Sequence, residues 1–188
     1  AYTFELDDAF FQSCGSFEGD TLPKNINALR YSARALHAPY LLPKGPDTVV
    51  VDANGADLVE IGTAVDISAQ IDSSRFRQGN PTEPVYPIAS VNAYLDQLPW
   101  DAGASALAMS AADGAFDSNS ETATLSLNTT GWSSGRHFVH VQGVAANTGQ
   151  AGTPNAAYVD VAAAGDIATL GGHVTAQASG APLAASVT

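Results

Sequence analysis

The sequence predicts a mainly β chain: an antiparallel sandwich preceded by a strand, a loop and one helix. Three observations carry this. Short β-branched and aromatic runs recur between Gly, Asn, Asp and Pro turns from Thr48 to Val161. Several of those runs alternate apolar and polar residues with a period of two, as a strand with one buried face requires. Helical spacing occurs in one place, between Lys24 and His37.

The chain opens on Ala1-Tyr2-Thr3-Phe4-Glu5-Leu6. Tyr, Thr and Phe favour a pleated, half-buried surface. In a strand, Thr3 and Glu5 share one face while Tyr2, Phe4 and Leu6 share the other. A strand of this kind at the very start reads as the tail of something larger. The expectation is a fragment whose upstream part completes a site around Glu5. Phe10 to Cys14, with Phe17 and Glu18, reads as an aromatic-rich loop. Ile26, Leu29, Ala33 and Leu36 then recur at helical spacing. Thr21 is the expected N-cap, and Pro23 suits a first turn. Arg34 and His37 sit where cations complement the C-terminal dipole, and Pro39 ends the helix.

Pro39, Pro43, Gly45 and Pro46 punctuate a short extended segment, of which 43–47 is read as a linker. The strands follow. Thr48 to Val51 is a β-branched run. Asp57 to Ile71 carries Val59, Ile61, Val65, Ile67, Ala69 and Ile71 with period two. Ile88 to Leu95 places Val91, Ala93 and Leu95 on one parity. Ala106 to Met109 is a short candidate. Glu121 to Leu127 puts Ala123, Leu125 and Leu127 on one face. Gly135 to Val144 sets His137, Val139 and Val141 against Phe138, His140 and Gln142. Ala156 to Val161 closes the set.

Charge narrows the function classes. Among 188 residues there are 19 acids and 7 bases, a net charge of −12. Such a surface repels phosphate backbones, so nucleic acid is not an expected partner. Few Lys, many Asp and abundant small residues read as a secreted or cell-surface protein. No apolar run approaches membrane-spanning length. The one cysteine, Cys14, reads equally as half of a disulfide to an upstream partner or as a buried free thiol.

Thr3-Phe4-Glu5-Leu6, then Leu22-Pro23 and a closing amphipathic helix, resembles the C-terminal end of the zinc metallocarboxypeptidases of the carboxypeptidase A/T type. The resemblance covers residues 1–42 and implies a strand-loop-helix remnant of an α/β metallopeptidase domain. It also implies that Glu5 is the general base and acid on a zinc-bound water, with a peptide as substrate. Thr3, Asp7 and Asp8 would then lie at the substrate-pocket rim. The chain departs from the family pattern in the longer loop from Asp7 to Asp20. The family's zinc ligands, a His-x-x-Glu pair and a distant His, have no match here, nor do its arginine and tyrosine substrate clamps; zinc would be bound upstream.

Ala93-Tyr94-Leu95-Asp96, Met109 to Asp117 and Gly135 to Gly143 resemble a bacterial immunoglobulin-like accessory domain, read here over 48–163. Leu170 to Thr175 with Gly180 to Thr188 is similar to the first hairpin of a carboxypeptidase regulatory-like domain, so 164–188 is expected to be an incomplete hairpin. Two strands alone are marginal in water. They would pair with the neighbouring domain or with another chain.

The remaining candidate chemistry is sparse. Asp113, Asp117 and Glu121 supply spaced oxygens that calcium accepts, but suit a Gly/Asn turn with solvated charges better. His137 and His140 point to opposite faces of a strand, and neither His37 nor His173 has ligand spacing. Trp100 and Trp132 could stack on sugars or fill part of a core. Two functions stand. One is the C-terminal portion of a secreted zinc carboxypeptidase, inert on its own. The other is a non-enzymatic module that self-associates by adding edge strands to a neighbour's sheet.

Overall fold

A computed structural model describes residues 11–53, 58–75 and 84–167. Thr3, Glu5, Asp7, Asp8, His173 and the expected hairpin strands after 170 lie outside the described residues. The chain is mainly β, and among the described residues one helical segment precedes the strands.

That segment begins earlier than the helical spacing suggests. It runs through α1 (Cys14–Ser16), a π turn (Phe17–Thr21) and α2 (Leu22–Ala35). Ser13 is the N-cap: its Oγ accepts from the Ser16 N–H at 3.1 Å. Thr21 is therefore not the cap. It lies in helical conformation, buried, with its hydroxyl donating to Gln12 Oε1 at 2.7 Å. The region expected as an aromatic loop up to Glu18 is thus helical from Cys14. Its π turn lies just before Pro23, whose ring and missing N–H disrupt a regular α turn. A wider i→i+5 turn accommodates it. The helix stops at Ala35, before Pro39, as the proline predicts.

A 3₁₀ turn (Leu42–Lys44) leads into the strands, nine among the described residues. These are β1 (Asp47–Asp52), β2 (Leu58–Glu60), β3 (Ala64–Asp72), β4 (Ile88–Leu95), β5 (Leu107–Ala108), β6 (Ser110–Ala111), β7 (Ser120–Asn128), β8 (Gly135–Ala145) and β9 (Asn155–Ala162). One sheet has the order β1-β3-β7-β6 and the other β2-β9-β8-β4-β5. Pairing is antiparallel except for β2 beside β9, which is parallel. The expectation of a wholly antiparallel arrangement is corrected at that pair.

One expected strand divides, and another is shorter than expected. The period-two run from Asp57 to Ile71 is interrupted by a turn at Ile61 and Gly62, where Gly62 takes a φ of 95°. The run's first part joins one sheet as β2, and its second joins the other as β3. The candidate at Ala106 to Met109 holds only β5; beyond buried Met109 the chain changes sheet and forms β6, which lies outside the expected run.

The two sheets enclose one core. Val65, Ile67, Ala69, Ile71, Ala123 and Leu127 come from the first, and Ile88, Val91, Ala93, Val139, Val141, Val159 and Val161 from the second. Each fully buried Ile or Val contributes about 1.5–3 kcal/mol through removal from water. Segment 43–47, read as a linker, is packed into the body. Pro46 is fully buried, and a Cβ on Gly152 would collide with the Pro46 backbone. Only glycine lets these two backbones approach so closely.

Candidate functional site

The residues expected to carry catalysis, Glu5 with Thr3, Asp7 and Asp8, are outside the described region. The structure instead describes the helix that follows them and how it is held. Tyr31, Arg34 and Ala35 lie on one side of α2, and Leu22, Ile26 and Leu29 on the other, by the helical repeat. The first side is tied to the β layers. Arg34 donates from Nη2 to Asp47 Oδ1 and to the Thr48 carbonyl, and from Nε to the Pro154 carbonyl, each at 2.6 Å.

Asp47 is almost fully buried between two arginines: Arg75 Nε stands 2.9 Å from its Oδ2, an ion pair without hydrogen-bond alignment. Thr153 Oγ1 donates to the Tyr31 hydroxyl at 3.3 Å. Burial raises the Tyr31 pKa above its ordinary 10.0, although the Thr153 bond pulls it back. His37 stacks flat on Trp100, ring centres 4.3 Å apart. Arg34 and His37 were expected to act on the helix dipole; they fasten the helix to the sandwich.

The second side is uncovered. Phe17, Thr21, Leu22, Asn25, Ile26 and Leu29 line a groove of about 160 Å³. Phe17 is 42% and Leu29 48% exposed. Cys14, at the start of the same segment, is an exposed free thiol.

The acidic loop spends its oxygens on its own backbone. Glu121 is buried, and its Oε1 accepts from the N–H groups of Asp117 at 3.0 Å and Ser118 at 2.7 Å. Asp113 Oδ1 accepts from the Ala115 N–H at 3.3 Å. Among the described residues, no three His, Cys, Asp or Glu side chains are grouped to hold an ion.

No motif or spacing in the sequence points to a second cluster. His137, at the inner face of β8, places Nδ1 2.6 Å from Asp96 Oδ2 and Nε2 2.9 Å from the Ser133 carbonyl. Trp132 leans on the imidazole at 4.9 Å. The set has the composition of an acid–base–hydroxyl triad but not its geometry. Ser133 Oγ is 3.5 Å from Nε2, which already faces the nearer carbonyl. A nucleophile needs that nitrogen as its base. Burial lowers the His137 pKa, but Asp96 and the Ser133 carbonyl together outweigh it, and the net shift is upward from 6.5. His140 shifts the other way, because burial outweighs the attraction of Asp101 and Asp96.

On the outer face of β8 and β9, Arg136 grips Asp160 through two hydrogen bonds of 2.8 and 2.7 Å and lies 4.0 Å over the Tyr158 ring. Phe138 is exposed beside them. Among the described residues no helix is long and apolar enough to cross a membrane.

No family model matches the chain, and no curated protein matches it. Solved structures show distant likeness. OgpA from Akkermansia muciniphila is 11% identical with a TM-score of 0.35, over 62% of this chain and 26% of its own. AvmM, which catalyses macrocyclization in alchivemycin A biosynthesis, is 13% identical with a TM-score of 0.38, over 61% of this chain and 89% of its own. The alkylpurine DNA glycosylase AlkC of Pseudomonas fluorescens is 15% identical with a TM-score of 0.37, over 77% of this chain and 40% of its own. The chain thus spans about a quarter of OgpA's length. Likeness of this degree assigns neither family nor activity.

Proposed function

We propose that this chain is the C-terminal portion of a secreted, bacterial-type zinc carboxypeptidase, carrying an accessory immunoglobulin-like sandwich. In this reading Glu5 moves the proton of a zinc-bound water during removal of a peptide's C-terminal residue. The metal is held by upstream residues, and Thr3, Asp7 and Asp8 border the pocket. The chain alone has no bound water to activate and is inert.

The observation that supports this most is the two-sided helix. It follows the Thr-Phe-Glu-Leu motif, fastens one side to the sandwich, and leaves Phe17, Leu22, Ile26 and Leu29 as an uncovered apolar ridge. A ridge of that kind asks for a second body to bury it. The strand order supports the immunoglobulin-like reading: β1-β3-β7-β6 corresponds to strands A, B, E and D, and β9-β8-β4 to G, F and C.

The test is hydrolysis of a peptide by the full polypeptide that contains this chain. Glu5→Gln is expected to lower kcat by about 10²–10⁴ while zinc content is unchanged. Undiminished kcat in that variant would remove Glu5 from the chemistry.

The alternative, a self-associating module built by strand addition, has less support from the sheet edges. β5 and β6 have two residues each and β2 has three. The longer edge, β1, is partly occupied: the Thr48 N–H donates to the Thr153 carbonyl at 3.0 Å, and Asn155 Nδ2 donates to the Val49 carbonyl at 3.0 Å. Short and covered edges resist strand addition.

A further inference from the structure

We propose that His137 is held as an imidazolium whose two N–H groups latch the turn between β7 and β8 to the end of β4, and that loss of one proton releases that turn. The argument is one of donors and acceptors. Asp96 Oδ2 is a carboxylate oxygen and Ser133 offers a main-chain carbonyl; neither can donate. Both stand within hydrogen-bond distance of the ring, at 2.6 and 2.9 Å. A neutral imidazole carries one N–H and would set its second nitrogen's lone pair against an oxygen. The Ser133 hydroxyl, the one donor near Nε2, stands farther off at 3.5 Å, so only the cation satisfies both short contacts.

What the latch holds is defined. Asp96 takes a φ of 52° at the end of β4. Its N–H donates to the Phe138 carbonyl at 2.8 Å, and its Oδ1 accepts from the Phe138 N–H at 2.8 Å. It is therefore anchored to β8 whatever the ring does. The other end is not. Residues 130–134 of the turn include Trp132, whose N–H donates to the Thr129 carbonyl at 3.0 Å, and Ser133, which faces Nε2. Thr129 itself is pinned, donating to the Thr63 carbonyl at 2.8 Å and accepting from the Gly62 N–H at 2.9 Å. Release therefore affects the stretch from Thr130 to Ser134 and spares the strands.

Among the described residues, the charged group facing His137 is Asp96. Val159 stands opposite it on β9. Arg136 and Asp160 pair with one another on the other face of the sheet. His140 also lies on that other face. Proton loss at Nε2 costs the Ser133 bond first, since the Nδ1 proton is shared with the carboxylate. The turn is thus closed below the His137 midpoint and loosened above it.

The test is a ¹⁵N NMR titration of the imidazole rings in the unmodified chain, with amide exchange followed at the same pH values. His137 is expected to show both nitrogens protonated at pH 6 and a midpoint above 6.5 and above that of His140. Protection factors at residues 130–134, taken relative to the base-catalysed rate of an unfolded amide, should fall several-fold through the His137 midpoint. Asp96→Asn should move that midpoint down. A His137 that is a single neutral tautomer at pH 6, or that titrates at or below His140, overturns the proposal. So do protection factors in the turn that ignore the His137 titration.

Discussion

At the residue scale, the fold turns on a few buried charges with long-range partners. Asp47 is neutralised by Arg34 and Arg75, and Arg34 alone joins α2, β1 and the approach to β9. Removing one member of such a set leaves the others uncompensated. Asp47→Ala should cost about 2–3 kcal/mol in urea unfolding, below the 3–5 of a fully buried pair because Arg75 is half exposed. His137 adds a pH dependence whose sign follows from its raised folded pKa. Its contribution is complete below the unfolded value of about 6.5 and is lost as pH rises through the folded value. His140, with a lowered pKa, opposes folding as pH falls below about 6.5. Stability measured across pH 5–9 should therefore fall at the alkaline end, and His137→Gln should flatten that fall. Neither cluster was legible in the sequence. Asp96 and His137 are 41 positions apart and Arg34 and Pro154 are 120 apart, and only strand register brings them together. The sequence could offer Arg34 no partner other than its own helix dipole.

At the element scale, legibility follows how local the signal is. Ile88–Leu95 appears with its expected bounds, and β7, β8 and β9 extend by a residue or so at their ends. Alternation fixes both a strand's type and its inner face. What alternation cannot report is a change of sheet. Val59 and Ile61 keep the parity of Val65 and Ile67, yet the turn at Gly62 sends the two stretches into different layers. The helix was half legible for a similar reason. Apolar spacing marked Ile26 to Leu36, whereas the first turns begin at a Ser cap and pass through a π turn that has no simple sequence period. Core and ridge residues should respond differently. Ile67→Ala should destabilise by about 2–5 kcal/mol, whereas Leu29→Ser should change sandwich stability by less than about 0.5 kcal/mol. Both are read from chemical denaturation. Gly152→Ala should be as damaging as a core truncation, because its Cβ has no room beside Pro46.

At the scale of the whole molecule, the chain is a β body with a helix clamped to it by one side. The mainly β class and the single helix were legible, because both are written in local periodicity. The clamp was not. Prolines and a glycine around 39–46 read as a linker, whereas Pro46 is buried and Asp47 is the centre of an ion-pair set. A helix fixed this firmly on one side and apolar on the other would hold the sandwich in a set orientation to whatever covers the ridge. In the proposed enzyme that is the catalytic body, and the sandwich is a rigid extension of it. The most direct measurement is the intact mass of the native material under non-denaturing conditions, with zinc analysis on the same sample. The account predicts an upstream polypeptide, continuous or co-purifying with this chain, and about one zinc per complex. A zinc-free homo-oligomer of this chain alone would contradict it.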